Sequence, residues 1–95
     1  MKEFKFKIND LELRSCDECL IQQSKNHKTA EILYHQLDDS GKTYCFTLAY
    51  WIAQGDGFDL KFVGDRPFVY GDKKDFWILA KMGQQLLDEY FNDED

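Results

Sequence analysis

Apolar and polar residues alternate with period two along the first two thirds of the chain, and the last third switches to a helical period. Phe4, Phe6 and Ile8 interleave with Lys5 and Lys7, which predicts a half-buried strand. Asn9-Asp10 supplies a turn. Leu11 and Leu13 then alternate with Glu12 and Arg14 in a second strand, whose pattern blurs from Cys16 to Gln23. The polar run from Ser24 to Lys28 reads as a hairpin loop before a strand over Thr29 to Leu37. Asp38-Asp39-Ser40-Gly41 turns the chain into the clearest strand, Lys42 to Ala53, rich in residues that suit a pleated surface. After Gln54-Gly55-Asp56-Gly57, Phe58, Leu60 and Phe62 alternate with Asp59 and Lys61. Gly64-Asp65-Arg66-Pro67 ends this strand, because Pro67 has no N–H for a ladder and restricts Arg66.

Phe76, Leu79, Ala80, Gly83, Leu86, Leu87 and Tyr90 then recur at three- and four-residue spacing, one face of a helix. Asp72 suits its N-cap, with Asp75 three residues on as a variant of the capping box. Glycine inside a helix costs about 1 kcal/mol against alanine, so Gly83 predicts a close approach of helix to sheet. The pattern gives an α+β fold: an antiparallel four- to five-stranded β-meander with one C-terminal α-helix packed on one sheet face. Residues 1–91 form a single domain and 92–95 an acidic tail.

The helix covers one face only. Tyr44, Phe46, Leu48, Tyr50 and Ile52 form the more apolar side of their strand and are expected beneath it, with Phe4, Phe6, Ile8, Leu11, Leu13, Phe58, Leu60 and Phe62. Thr43, Cys45, Thr47, Ala49 and Trp51 fall on the other side. That leaves Lys5, Lys7, Arg14 and Lys61 around Trp51 on an open face.

Ninety-five residues make one domain that buries roughly 60–65% of its unfolded surface. Eight Phe, five Tyr and two Trp supply large pieces of core and argue against disorder. The net charge is −6, and the excess lies late: residues 49–95 carry ten acids and five bases. Such a balance weakens non-specific attraction to DNA or anionic membrane. The start of the chain has no apolar signal segment, and the run from Cys45 to Ala53 is too short to span a bilayer. With three cysteines, an odd number, the expectation is a cytoplasmic protein with reduced thiols and no membrane association.

Specific chemistry is thin. Cys16-Asp17-Glu18-Cys19 could hold zinc only with two of His27, His35 and Cys45, at a spacing that fits no common zinc signature. Asp17 and Glu18 disfavour the thiolate that a redox pair needs. No serine or cysteine has a recognisable nucleophile context, and Cys45 acting with His35 is the sole candidate pairing. Gly55-Asp56-Gly57 is explained by turn chemistry, not phosphate binding. The expectation is therefore a non-enzymatic domain without metal or cofactor.

Three functions are consistent with this reading. The first is a protein-interaction domain, pairing with a protein partner or with itself as a homodimer through the open face at Trp51. The second is single-stranded nucleic-acid binding on the same face by Lys5, Lys7, Arg14 and Lys61, with stacking on Trp51. The third is an acidic regulator whose C-terminal half, including Asp88, Glu89 and Asp93 to Asp95, occupies a basic site on another protein. A second candidate surface joins Arg66, Phe68 and Tyr70 to Trp77, residue types enriched at binding hot spots. Trp77 follows Phe76, so both cannot point straight into the core.

Overall fold

The computed structural model describes residues 3–15, 28–55 and 57–92. Five strands, β1 (Lys5–Ile8), β2 (Leu11–Ser15), β3 (Lys28–Leu37), β4 (Thr43–Gln54) and β5 (Gly57–Phe62), pair antiparallel in the order β1-β2-β3-β4-β5. The short helix α1 (Arg66–Val69) leads into the long helix α2 (Lys73–Asn92), which packs on one sheet face. This is the α+β meander that the alternation predicts. The predicted 24–28 loop, apart from Lys28, and the acidic residues 93–95 lie outside the described residues.

The segment after Gly64 does more than end a strand. Pro67 pre-sets a helical φ in a first turn that needs no N–H from it. Phe68 N–H donates to the Asp65 carbonyl at 2.9 Å and Tyr70 N–H to that of Arg66 at 3.0 Å, closing α1. Asp72 starts α2 as expected, its carboxylate accepting from Lys74 N–H at 2.8 Å. Asp75 does not complete a capping box. It accepts from Asn9 Nδ2 at 2.8 Å and so ties the first turn of α2 to the β1–β2 turn.

Leu11, Leu13, Ile32, Leu48, Trp51, Phe76, Leu79 and Leu87 form the centre of the core. Gly83 faces this core, and a Cβ there would lie 2.6 Å from Trp51 Cη2. The helix therefore settles directly onto the indole, which is the close approach the glycine predicts. Phe76 and Trp77 meet Phe62, while Gly83 meets Trp51, the cross-strand partner of Leu60. The helix thus lies across the sheet with its first turns at Phe62 and its middle over Trp51 and Leu13.

The two faces of β4 change over part-way along the strand, against the simple alternation. Ile32 pairs with Ala49 but Leu33 pairs with Thr47, so Leu48 is an extra residue in β4. Such a bulge inverts the facing of every residue beyond it. Phe46 and Leu48 lie beneath the helices as expected, but so do Ala49, Trp51 and Ala53. Trp51 is fully buried, and Tyr50 and Ile52 turn to the open face. A second register shift between Lys28 and Ala30 turns Lys28 to that face as well.

Candidate functional site

The open face is built around two glutamates. Glu12 on β2 and Glu31 on β3 are 4% and 5% exposed although no helix covers them. Glu31 accepts from Arg14 Nε at 3.0 Å, Lys28 Nζ at 3.1 Å and Thr47 Oγ1 at 2.8 Å. These groups come from β2, β3 and β4, and Lys28 reaches the site because the register shift turns it over. Glu12 Oε1 lies 2.6 Å from His35 Nε2, and Glu12 Oε2 forms an ion pair with Lys5 Nζ at 3.4 Å. Burial alone would raise both carboxyls. For Glu12 the His35 hydrogen bond and the Lys5 charge outweigh it, and for Glu31 the bonds from Thr47, Lys28 and Arg14 do so. Both glutamates are held below the usual carboxylate range. An ionised Glu12 can only accept, so His35 donates through Nε2.

Cys45 stands directly opposite His35 in the β3–β4 register and is exposed. Glu12 stands opposite Leu33 and reaches His35 diagonally, and no hydrogen bond joins His35 to the Cys45 thiol. Cys16, Cys19 and His27 lie outside the described residues. Among the described residues no three His, Cys, Asp or Glu side chains are grouped to hold a metal. A shallow depression of about 300 Å³ at the sheet edge is lined by Glu3, Phe4, Lys5, Arg14 and Ser15.

Of the residues expected to bind on this face, Lys5 and Arg14 are tied to buried glutamates. Lys7 and Lys61 lie on the face without an ion pair among the described residues. Trp51 is absent from it, with its indole Nε1 donating to Gln84 Oε1 of α2 at 3.0 Å. The aromatic there is Tyr50, with Lys28 Nζ 5.8 Å from its ring centroid.

The second candidate surface comes together at the corner where β5, α1 and α2 meet. Phe62 makes edge-on ring contacts with Phe68 at 5.7 Å and Trp77 at 6.0 Å between centroids. All three remain open: Phe62 is 38% exposed, Phe68 49% and Trp77 47%. Val69 and Ile78, next in sequence to Phe68 and Trp77, are exposed as well. Arg66 and Tyr70 serve a different purpose. Arg66 Nη1 donates to the Thr47 carbonyl at 3.1 Å and its guanidinium lies over Phe46. Tyr70 packs on Tyr34 and Phe46, so both residues pin α1 to the sheet. Phe62 is the member that the alternation assigned wholly to the core. It opens to solvent because β5 is the last strand and has no neighbour to cover its end.

No protein-family model, no curated protein and no solved structure matches this chain. No described helix is long and apolar enough to cross a membrane.

Proposed function

We propose that the protein is a non-enzymatic protein-interaction domain that docks its partner on the corner of Phe62, Phe68 and Trp77. The observation that carries this reading is a set of three rings, Phe68 and Trp77 each packed edge-on against Phe62 of the edge strand, left open together. Aromatic anchors grouped in this way dominate the energy of protein interfaces, and an edge strand offers a row of backbone donors and acceptors.

The open sheet face has less in its favour as a homodimer or nucleic-acid surface. Its cations Lys5, Arg14 and Lys28 already neutralise buried glutamates. Trp51, the residue that motivated stacking or self-association there, faces the helix.

The test compares two double variants with the wild type, Trp77→Ser/Phe68→Ser at the corner and Lys7→Glu/Lys61→Glu on the open face. Sedimentation equilibrium reports self-association, and quantitative affinity capture from cell extract reports other partners. Binding lost only in the corner variant supports the proposal. Binding lost only in the open-face variant returns the interface to the sheet and refutes it.

A further inference from the structure

The corner carries charge as well as rings. Lys73, Trp77 and Lys81 follow one another at four-residue spacing, so they form one row along the flank of α2. Trp77 of that row touches Phe62 on β5. Lys74 and Ile78 form the adjacent row. Lys73, Lys74 and Lys81 are exposed, and no ion pair holds any of them among the described residues. The chain carries six more acids than bases, yet the flank of α2 beside Trp77 carries Lys73, Lys74 and Lys81, while Asp72 at that helix end accepts from the Lys74 backbone N–H.

The spacing selects a ligand. Eight helical residues separate Lys73 from Lys81, a rise of about 12 Å. In an extended peptide, residues i and i+4 lie about 13 Å apart with i, i+2 and i+4 on one side. An acid–x–apolar–x–acid segment therefore sets one carboxylate at each lysine and its central apolar side chain over Trp77 and Phe62. Phe62 belongs to the edge strand β5, so the segment seated over it lies beside that strand.

The size of the patch favours a peptide over a second copy of the chain. About half of Phe62, Phe68 and Trp77 is exposed, on the order of 300 Å². A stable dimer buries about 800 Å² on each partner. A two-fold axis through Trp77 would also bring the lysines of one copy against those of the other. The rings contact one another through their edges, with interplanar angles of 69° to 78°, and offer no parallel platform for successive bases.

Resting on the proposed interaction role, we infer that the corner binds an extended acidic peptide with an apolar residue midway between two carboxylates. The probe is the capped pentapeptide Glu-Thr-Leu-Thr-Glu, titrated into ¹⁵N-labelled protein. The two indole N–H signals separate the outcomes, since Trp51 is buried and Trp77 is open. The expected result is a saturable shift of Trp77 with Trp51 unmoved. Lys73→Glu and Lys81→Glu should each weaken binding about five-fold, as loss of an exposed ion pair implies. The Gln-Thr-Leu-Thr-Gln peptide should bind at least ten-fold more weakly than the acidic one. Equal binding by the two peptides overturns the acidic specificity and leaves the corner as a docking site. A Trp77 signal that no peptide moves overturns both. Tighter binding of oligothymidylate or of anionic vesicles at the same signals overturns the peptide assignment. A Trp77 shift on raising protein concentration alone would mean a second copy occupies the corner, and would overturn it too.

Discussion

Replacing Gly83 by alanine should destabilise the protein, although the same change at an ordinary helix position stabilises. Alanine gains about 1 kcal/mol over glycine in a helix interior. Here the added Cβ would sit 2.6 Å from Trp51 Cη2, 2.9 Å from Cζ2 and 3.1 Å from Leu13 Cδ1. Carbon atoms pack at about 3.5–4.0 Å, so roughly 1 Å must be found. The indole cannot turn away, because it is fully buried and its Nε1 is bonded to Gln84 on the next position of the helix. The helix must lift, loosening Leu79 and Leu87. Overpacking of this kind costs about 2–3 kcal/mol, which leaves a net loss of about 1–2 kcal/mol. Urea unfolding followed by far-UV circular dichroism should show the midpoint falling by about 1 M. The cycle with Trp51→Phe tests the cause. Phenylalanine lacks the outer indole ring, so Gly83→Ala in that background should be neutral or stabilising by up to about 1 kcal/mol. A raised midpoint for Gly83→Ala in the wild-type background would refute the clamp between helix and indole.

Leu87→Ala should cost about 2–5 kcal/mol, because Leu87 is fully buried in the core, and unchanged denaturant midpoints would disprove that packing. Glu31→Gln removes the charge that Arg14 and Lys28 share; those two are half exposed and rehydrate, so the loss in urea unfolding should be about 1–3 kcal/mol. Glu12 and Glu31 are held below the unfolded carboxylate value of about 4.3. Their stabilisation is therefore present in full above that pH and is lost as the pH falls through the depressed folded values. Urea midpoints should fall on acidification through this window, and less steeply in Glu31→Gln. Trp77→Ser should cost about 1–3 kcal/mol, less than Leu87→Ala, since nearly half of the indole is already in water.

The two periodicities made the strand boundaries, the helix face and the role of Gly83 legible from the sequence. The bulge at Leu48 was not, because apolar residues occupy both sides of β4 beyond it. Tyr50 and Ile52 form one apolar set, and Ala49, Trp51 and Ala53 form another, so alternation cannot choose between them. Gly83 held the missing signal: a glycine aimed at the core needs a large ring opposite, and Trp51 is the ring that fits. The burial of Glu12 and Glu31 was hidden for a related reason. Charges at alternate positions read as solvated until the neighbouring strands bring Arg14, Lys28 and His35 around them. At the corner, the sequence showed that Phe76 and Trp77 could not both enter the core. The exposure of Phe62 depends on the strand order.

Cationic side chains have opposite value on the two surfaces. On the open face, docking must dehydrate Lys5, Arg14 and Lys28 after buried glutamates have taken their charge, so the partner gains little in return. On α2, Lys73 and Lys81 have no ion pair among the described residues, so a carboxylate arriving there gains its attraction whole. The net charge of −6 opposes the same peptide at long range. Salt separates the two effects. At 0.01 M ionic strength the screening length is about 30 Å, and the acidic body of the protein reaches the corner. At 0.15 M it is about 8 Å, and the adjacent lysines dominate. At 1 M it is about 3 Å, and they too are screened. Affinity for the acidic pentapeptide should therefore pass through a maximum near physiological salt. A steady fall from the lowest salt upward would mean that the net charge does not act at the corner. A steady rise would mean that the lysines contribute nothing and the rings bind alone.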